Sequence, residues 1–210
     1  MRKISITEAL NELKLYDSKI MKAIDSAVFV GATKKSDSKV GVIDRDVFCV
    51  RAKASYQSIV DLISNRNALK SAIVQSNAIT YVIVNGKTMT VAEAIERKKS
   101  IEYEVMLLDE MKKQYARTTD TISKENKKVD NKIDELLATL IGKETSKEIN
   151  KESQEAIEIP YRNKNEYEMV DPVGLLNKIE ALEEEIDGFM SEVDTRLSVI
   201  NSTTLIELGF

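Results

Sequence analysis

Residues 76–97 read SNAITYVIVNGKTMTVAEAIER, and three local structural signals follow one another in this stretch. Residues 81–84 form a short β-branched and aromatic run, which is typical of a strand. Asn85-Gly86 predicts a two-residue type I′ turn, because both turn positions need a positive φ. Thr90 and Glu93 then match a capping box, in which each side chain satisfies a backbone N–H at the start of a helix. The stretch therefore predicts a small β-hairpin that leads directly into a helix.

Two amphipathic helices are predicted before this hairpin. Ser5 and Glu8 form a second capping box, and the helix that follows has apolar residues at alternating spacings of three and four. These residues are Ile6, Leu10, Leu13, Ile20 and Ile24. A second helix fits roughly residues 52–76. Residues 42–50 are rich in Val, Ile and Phe, and they predict either a strand or an extended lead into that helix.

The helix after Thr90 has the longest regular pattern, because apolar residues recur in it every seven positions. Such a repeat favours a coiled-coil partner, either in the same chain or in another copy. The second seam position is polar in the middle, at Lys112, Thr119 and Asn126, so the helix either continues through 91–142 or breaks near 117–121. The predicted oligomer seam consists of Ile101, Leu108, Tyr115, Ile122, Val129 and Leu136.

The C-terminal third is predicted to contain a loop and one more long helix. Residues 143–171 are expected to be a loop with a short strand at 156–161, which Pro160 would end. Asp171-Pro172 predicts a helix start, and the helix would occupy 172–208. The fold class expected is mainly α, with long antiparallel helical hairpins in a coiled-coil-like bundle. The chain would form a single domain, 1–210, comprising N-terminal helices (1–76), a β-hairpin (77–90) and the three segments above.

Composition excludes several classes of function. Charged residues make up 31% and aromatic residues 5%, while the net charge of −4 gives no strong attraction to nucleic acid. The chain has no histidine and a single cysteine, Cys49, so a histidine-based catalytic site and a multi-cysteine metal site are both impossible. We therefore expect neither a metal nor a cofactor. No signal-peptide pattern or long apolar run is present, which predicts a cytoplasmic protein with no membrane partner.

Three blocks of short motifs follow one another along the chain. They are residues 8–20, the middle block of Asn77, Thr80, Gly86, 88–90 and Arg97, and the terminal block of Asp194 with 201–207. Their order resembles that of the septicolysin-like family of small bacterial and phage helical proteins. Ser202 stands where that family usually has tryptophan. The resemblance implies a helical, oligomeric fold, and it transfers no activity.

Two groups of basic and aromatic residues are candidate ligand-binding sites, because arginine offers forked donors to phosphates and tyrosine can stack on bases. The alternative for both groups is an ordinary solvated helix cap and loop. The acidic cluster 180–187 is interpreted as a solvated helix face, and Cys49 as a packed small hydrophobic residue. The candidate ligand-binding residues are Arg45, Arg51, Lys53, Tyr56, Tyr161, Arg162 and Lys164.

The function expected from these features is that of a non-enzymatic, homo-oligomeric binding protein. Its specific form is a phage counter-defence protein that sequesters a nucleotide-type immune signal or blocks a host factor. The alternative is a structural or assembly protein, such as a virion or scaffold component. Enzymatic activity is the least favoured class, since no catalytic motif is present.

Overall fold

The computed structural model describes residues 2–141 and 151–209, and it confirms the mainly α class with small β-hairpins. Within these residues lie five helices and three two-stranded antiparallel sheets. None of these helices is long and apolar enough to cross a lipid bilayer. The elements are β1 (Arg2–Ser5), α1 (Ile6–Ser26), β2 (Lys39–Val40), β3 (Ile43–Asp44), α2 (Arg45–Ile79), β4 (Tyr81–Val84), β5 (Lys87–Thr90), α3 (Val91–Ile141), α4 (Lys151–Asn165), α5 (Leu175–Thr203) and β6 (Leu205–Leu208).

The chain divides into two compact units, and the expected single domain over 1–210 stays a prediction. The first unit contains residues 1–100 and 188–210, and the second contains residues 101–187. The predicted end of the long helix at Gly142 lies outside the described residues.

The predicted hairpin of the first unit is confirmed in detail. Strands β4 and β5 pair antiparallel, and the turn residues Asn85 and Gly86 have φ values of 49° and 70°. The capping box is also formed: the Thr90 backbone N–H donates to Glu93 Oε2 at 2.6 Å, and the Glu93 N–H donates to Thr90 Oγ1 at 3.1 Å. The turn also contacts α5, because the Asn85 N–H donates to Glu192 Oε2 at 3.1 Å. The hairpin therefore both starts α3 and anchors to α5.

The pairing of β1 with β6 is a feature that sequence analysis missed. The two strands join the ends of the chain antiparallel, with Ile4 opposite Ile206. The C-terminal helix accordingly ends at Thr203, and 205–208 are a strand instead of its last turn. Both strands contribute to one hydrophobic core with α1 and α2. Its buried members are Ile4, Ile6, Ala9, Leu13, Leu69, Ile73, Ile206 and Leu208.

Helices α1 and α2 form an antiparallel hairpin in the first unit, bridged by the ion pair between Asp17 and Arg66 at 2.9 Å. Helix α2 begins at Arg45, seven residues before its predicted start at 52. Most of the segment 42–50 is therefore helical, and only Ile43 and Asp44 belong to a strand. The β-branched residues were misleading there because helix packing overrides a weak local preference.

The second unit corrects part of the prediction for residues 143–171. Residues 151–165 form α4, so the predicted loop is wrong over this range. The strand predicted at 156–161 is also wrong, because these residues are helical and Pro160 lies inside the helix. Helix α3 is continuous to Ile141, which excludes the break near 117–121. The predicted cap residue Asp171 accepts hydrogen bonds from the Val173 and Leu175 N–H groups, but the α-helix begins at Leu175.

Candidate functional site

Helix α2 extends beyond the end of α1, and this overhang forms the tip of the first helical hairpin. Asp17 pairs with Arg66 across the hairpin, so the last residue of α1, Ser26, lies level with about residue 57 of the antiparallel α2. About a dozen residues of α2 remain beyond that level, or about 18 Å at 1.5 Å per residue. Residues 27–44, here called the tip segment, connect the two helices along this overhang.

Glycines allow the tip segment to fold tightly. Gly41 has a φ of 59° and precedes Val42 in the turn between β2 and β3, as a type II′ turn requires of its first central residue. At Gly31, an added Cβ would lie 2.4 Å from Val40 Cγ1 and 3.3 Å from Phe48 Cζ. The absence of a side chain at Gly31 therefore lets β2 and α2 approach its backbone. The Thr33 hydroxyl fixes the same fold by donating to the Lys39 carbonyl at 2.6 Å.

A cavity of about 500 Å³, here called the tip cavity, lies between the tip segment and α2. Its polar side chains are Arg51 and the hydroxyl groups of Ser26 and Ser55. Arg51 forms no hydrogen bond or ion pair with another residue in the described part of the chain. The apolar walls come from Val28, Val30, Val40, Val42, Ile43 and Phe48. A guanidinium without a carboxylate partner thus borders an apolar space.

The structure separates the residues of the first candidate group. Arg51 and Lys53 are two positions apart, or about 200° around the helix, so they point to different sides of α2. Arg51 lines the tip cavity. Lys53 and Tyr56 instead line a second, open depression of about 650 Å³, here called the side groove. Its remaining lining residues are Ile24, Phe29, Ala52, Ile59, Val60 and Ile63.

Arg45 lies at the first position of α2, where its backbone N–H donates to the Ser38 carbonyl at 2.8 Å. Tyr56 packs edge to face against Phe29, with ring centroids 6.3 Å apart. The aromatic part of the first candidate group thus belongs to the side groove, and it does not lie beside Arg51.

Arg162 of the second candidate group is surrounded by carboxylates. It pairs with Glu158 at 2.8 Å, with Asp130 of α3 at 2.8 Å and with Glu166 at 3.6 Å. Hydrogen bonds to Glu158 and then to Asp130 raise the pKa of its guanidinium above the usual value. This arrangement links α4 to α3 and disfavours binding of an anion.

Tyr161 and Lys164, the other two members of the second candidate group, lie near an Arg162 side chain that is already paired with carboxylates. Tyr161 is half-buried, and its carbonyl accepts a hydrogen bond from Asn165 at 2.8 Å, while Lys164 is exposed. Both residues lie on α4 in the second unit.

The predicted seam residues are largely covered within a single chain. Ile101, Leu108 and Val129 are buried, while Tyr115, Ile122 and Leu136 are half-buried. An interface between copies would have to use residues other than the buried three. The burial of these residues favours a partner for α3 in the same chain over a partner in another copy. The prediction of an oligomer stays a prediction.

The polar seam positions have specific partners in the second unit. Lys112 pairs with Glu183 of α5. The Asn126 side chain forms two hydrogen bonds with the Tyr167 backbone, donating to its carbonyl at 3.0 Å and accepting from its N–H at 2.8 Å. These polar residues therefore fix how the elements of this unit pair, which sequence periodicity could not reveal.

The position of Cys49 corrects one further prediction. Cys49 is exposed, so the interpretation as a packed hydrophobic residue is wrong. Among residues 2–141 and 151–209, no three His, Cys, Asp or Glu side chains converge closely enough to hold a metal ion.

Comparisons with known proteins add no relative. No protein-family model matches the sequence, and no match was found among the curated proteins or the solved structures. The resemblance to the septicolysin-like family therefore stays a prediction.

Proposed function

We propose that this protein is a non-enzymatic binding protein and that the tip cavity binds a small anionic ligand with an apolar or aromatic part. The observation that carries the proposal is Arg51, which borders the cavity without a carboxylate partner among the described residues. A guanidinium forms short, charge-assisted hydrogen bonds with phosphate or carboxylate groups. It is also more weakly hydrated than an ammonium group, which lowers the cost of binding.

The walls of the cavity define the rest of the ligand. Six apolar side chains and two hydroxyl groups border the open space next to Arg51, and three of the six, Val28, Val30 and Val42, remain exposed to solvent. A flat apolar group, such as a nucleobase, would gain by leaving water for this surface, while Ser26 and Ser55 offer hydrogen bonds to its polar edge. The volume of about 500 Å³ lies in the range typical of small-molecule pockets. A nucleotide-type signal belongs to this ligand class.

The proposed contacts with the ligand come from Arg51, Ser26 and Ser55 of one chain. The proposed counter-defence role adds one requirement, which is that the best ligand be a nucleotide used in host immunity. Homo-oligomerisation is a separate part of the proposal, and the mass of the protein in solution tests it directly.

Isothermal titration calorimetry with the full chain tests the proposal. The panel consists of cyclic nucleotides, ADP-ribose derivatives and simple mononucleotides, with inorganic phosphate as the probe that lacks an apolar part. We expect heat with at least one nucleotide and weaker binding of phosphate. Arg51→Gln should weaken binding by about 10- to 100-fold, since hydrogen bonds to charged groups contribute about 1.5–3 kcal/mol.

Lys53→Gln is the matched control, because it removes one positive charge from the opposite side of the same helix. It should leave nucleotide binding unchanged. No heat with any member of the panel at high protein concentration contradicts the proposal. Equal weakening by both substitutions would show that Arg51 acts only through overall charge, and it would also contradict the proposed site.

The second candidate function is a structural or assembly role, and the continuous 51-residue helix α3 favours it. At 1.5 Å per residue this helix is about 77 Å long, which suits a protein that spans distance within a larger particle. Absence of the protein from purified particles and from assembly intermediates would count against this role.

A further inference from the structure

Helix α2 has two apolar stripes, and only one of them is covered. The covered stripe contains the buried residues Ile59, Leu69 and Ile73. The other contains Tyr56, Val60 and Ile63, with exposed fractions of 62%, 39% and 37%. Their spacing of four and then three residues places them on one face of the helix. Such a face is usual in a helix that packs against another helix on each side.

The exposed stripe forms the floor of a concave surface. Ile24 from the end of α1 and Phe29 from the tip segment line the side groove next to this stripe. The lining is almost entirely apolar, and Lys53 is its one charged residue. A groove between an α-helix and a neighbouring wall is the shape that binds an amphipathic helix, whose apolar residues recur at the same spacing.

Three cations, Arg45, Lys53 and Lys70, lie on the helix that forms the floor of the groove, and one of them, Lys53, lines it. Around α2, Arg45 lies about 20° and Lys70 about 40° from Tyr56, and the two residues lie beyond the two ends of the stripe. Neither they nor Lys53 forms an ion pair with another described residue. Asp17 of α1, which faces α2, is already paired with Arg66. The groove is therefore apolar along its centre, and α2 contributes these three cations without a carboxylate partner among the described residues.

We infer that the side groove is a docking site for an amphipathic helix with acidic margins, presented by a partner protein. Carboxylates beside the apolar residues of that helix would meet Arg45, Lys53 and Lys70, and opposite potentials across an interface speed association and fix register. A second copy fits less well, since a symmetric contact through this groove would bring the same positive charges together. A bilayer fits less well because its surface is flat and the groove is concave. This site lies on a different side of α2 from the tip cavity.

Two designed peptides of three heptads each test this inference by fluorescence anisotropy with the full chain. Both carry the same leucine seam; one has glutamate at the flanking positions and the other has lysine. We expect the glutamate peptide to bind at least about tenfold more tightly, with the difference decreasing as salt is raised. The double variant Lys53→Glu and Lys70→Glu should reverse the preference.

The double variant Val60→Glu and Ile63→Glu should abolish binding of the glutamate peptide. Val50→Glu is its control, because Val50 is 67% exposed and lies about 140° around α2 from Ile63. Far-UV circular dichroism checks that all variants fold. Equal binding of both peptides would overturn the inference. So would preferential binding to anionic vesicles, or self-association of the chain that Val60→Glu and Ile63→Glu abolish.

Discussion

The β4–β5 turn contacts α5 where Asn85 faces Gly188. We therefore expect Gly188→Ala to lower the free energy of unfolding in the natural sequence and to raise it when Asn85 is replaced by glycine. Gly188 lies inside α5, where alanine is favoured over glycine by about 1 kcal/mol in the free energy of unfolding. An added Cβ at Gly188 would, however, lie 2.5 Å from Asn85 Nδ2 and 2.6 Å from Asn85 Cγ. Unstrained contacts between such atoms are nearer 3.5–4.0 Å, so the Asn85 side chain must move.

The magnitude follows from two opposing contributions. Overpacking of this kind costs about 1–3 kcal/mol, and displacement of the turn also weakens the 3.1 Å hydrogen bond from the Asn85 N–H to Glu192. After the gain in helix propensity, Gly188→Ala should lower the free energy of unfolding by about 1 kcal/mol. In an Asn85→Gly background the obstacle is gone, and the type I′ turn still accepts glycine. There, Gly188→Ala should raise the free energy of unfolding by about 1 kcal/mol.

Urea unfolding of the four proteins of this double-mutant cycle, followed by far-UV circular dichroism, measures the coupling. We expect a coupling energy of about 2 kcal/mol between positions 85 and 188, well above the few tenths expected of independent sites. If Gly188→Ala has the same effect in both backgrounds, the turn does not pack against α5 and the reasoning is wrong.

Three further outcomes follow from the structure. Leu69→Ala should lower the free energy of unfolding, measured in urea, by about 2–5 kcal/mol, because Leu69 is 0% exposed. Val74→Ala, on the exposed face of the same helix, is the control and should change it by less than about 1 kcal/mol. Hydrogen bonds from the Thr90 backbone and hydroxyl hold the pKa of Glu93 below its usual 4.5; because the folded pKa is the lower one, this stabilisation is complete above pH 4.5 and is lost as the pH falls through the folded value. Thr90→Ala removes the side-chain cap of α3, which should lower the free energy of unfolding by about 1 kcal/mol at neutral pH. It should also reduce the loss of stability on acidification in pH-dependent unfolding, and part of that loss should remain because alanine keeps the backbone N–H. Arg162→Gln should speed amide hydrogen exchange in α4 and leave nucleotide binding at the tip cavity unchanged; weaker binding would contradict the assignment of Arg162 to structure.

Turns and helix caps could be predicted where nearby residues alone satisfy the hydrogen-bonding groups of the backbone. The type I′ turn and both capping boxes need partners no more than three residues away, so the sequence contains the whole interaction. The strand predicted at 156–161 failed for the opposite reason. Its apolar residues carried no clear period, and Pro160 was taken as an end although it lies within α4.

The candidate site was only partly predictable. Arg51 was identified from its residue type, but its separation from Lys53 and Tyr56 depends on where α2 begins. The helix begins at Arg45, whose N–H donates to the Ser38 carbonyl of the tip segment, and Gly31 lies against Val40 and Phe48. Sequence analysis also missed the valines that line the tip cavity. Val42, for example, is 94% exposed at its turn, and the exposure of a side chain is known only once the chain is folded.

By itself, the sequence determined the helical class, the central hairpin and the helix starts that carry their own caps. Tertiary structure alone decided that β1 pairs with β6, that Asn126 binds the Tyr167 backbone, and that one stripe of α2 is covered while the other stays exposed. The physical reason is the distance along the chain over which each interaction acts. A cap or a tight turn is satisfied within a few residues, whereas a sheet that joins the two ends of the chain gains its free energy only when the rest of the fold brings those ends together.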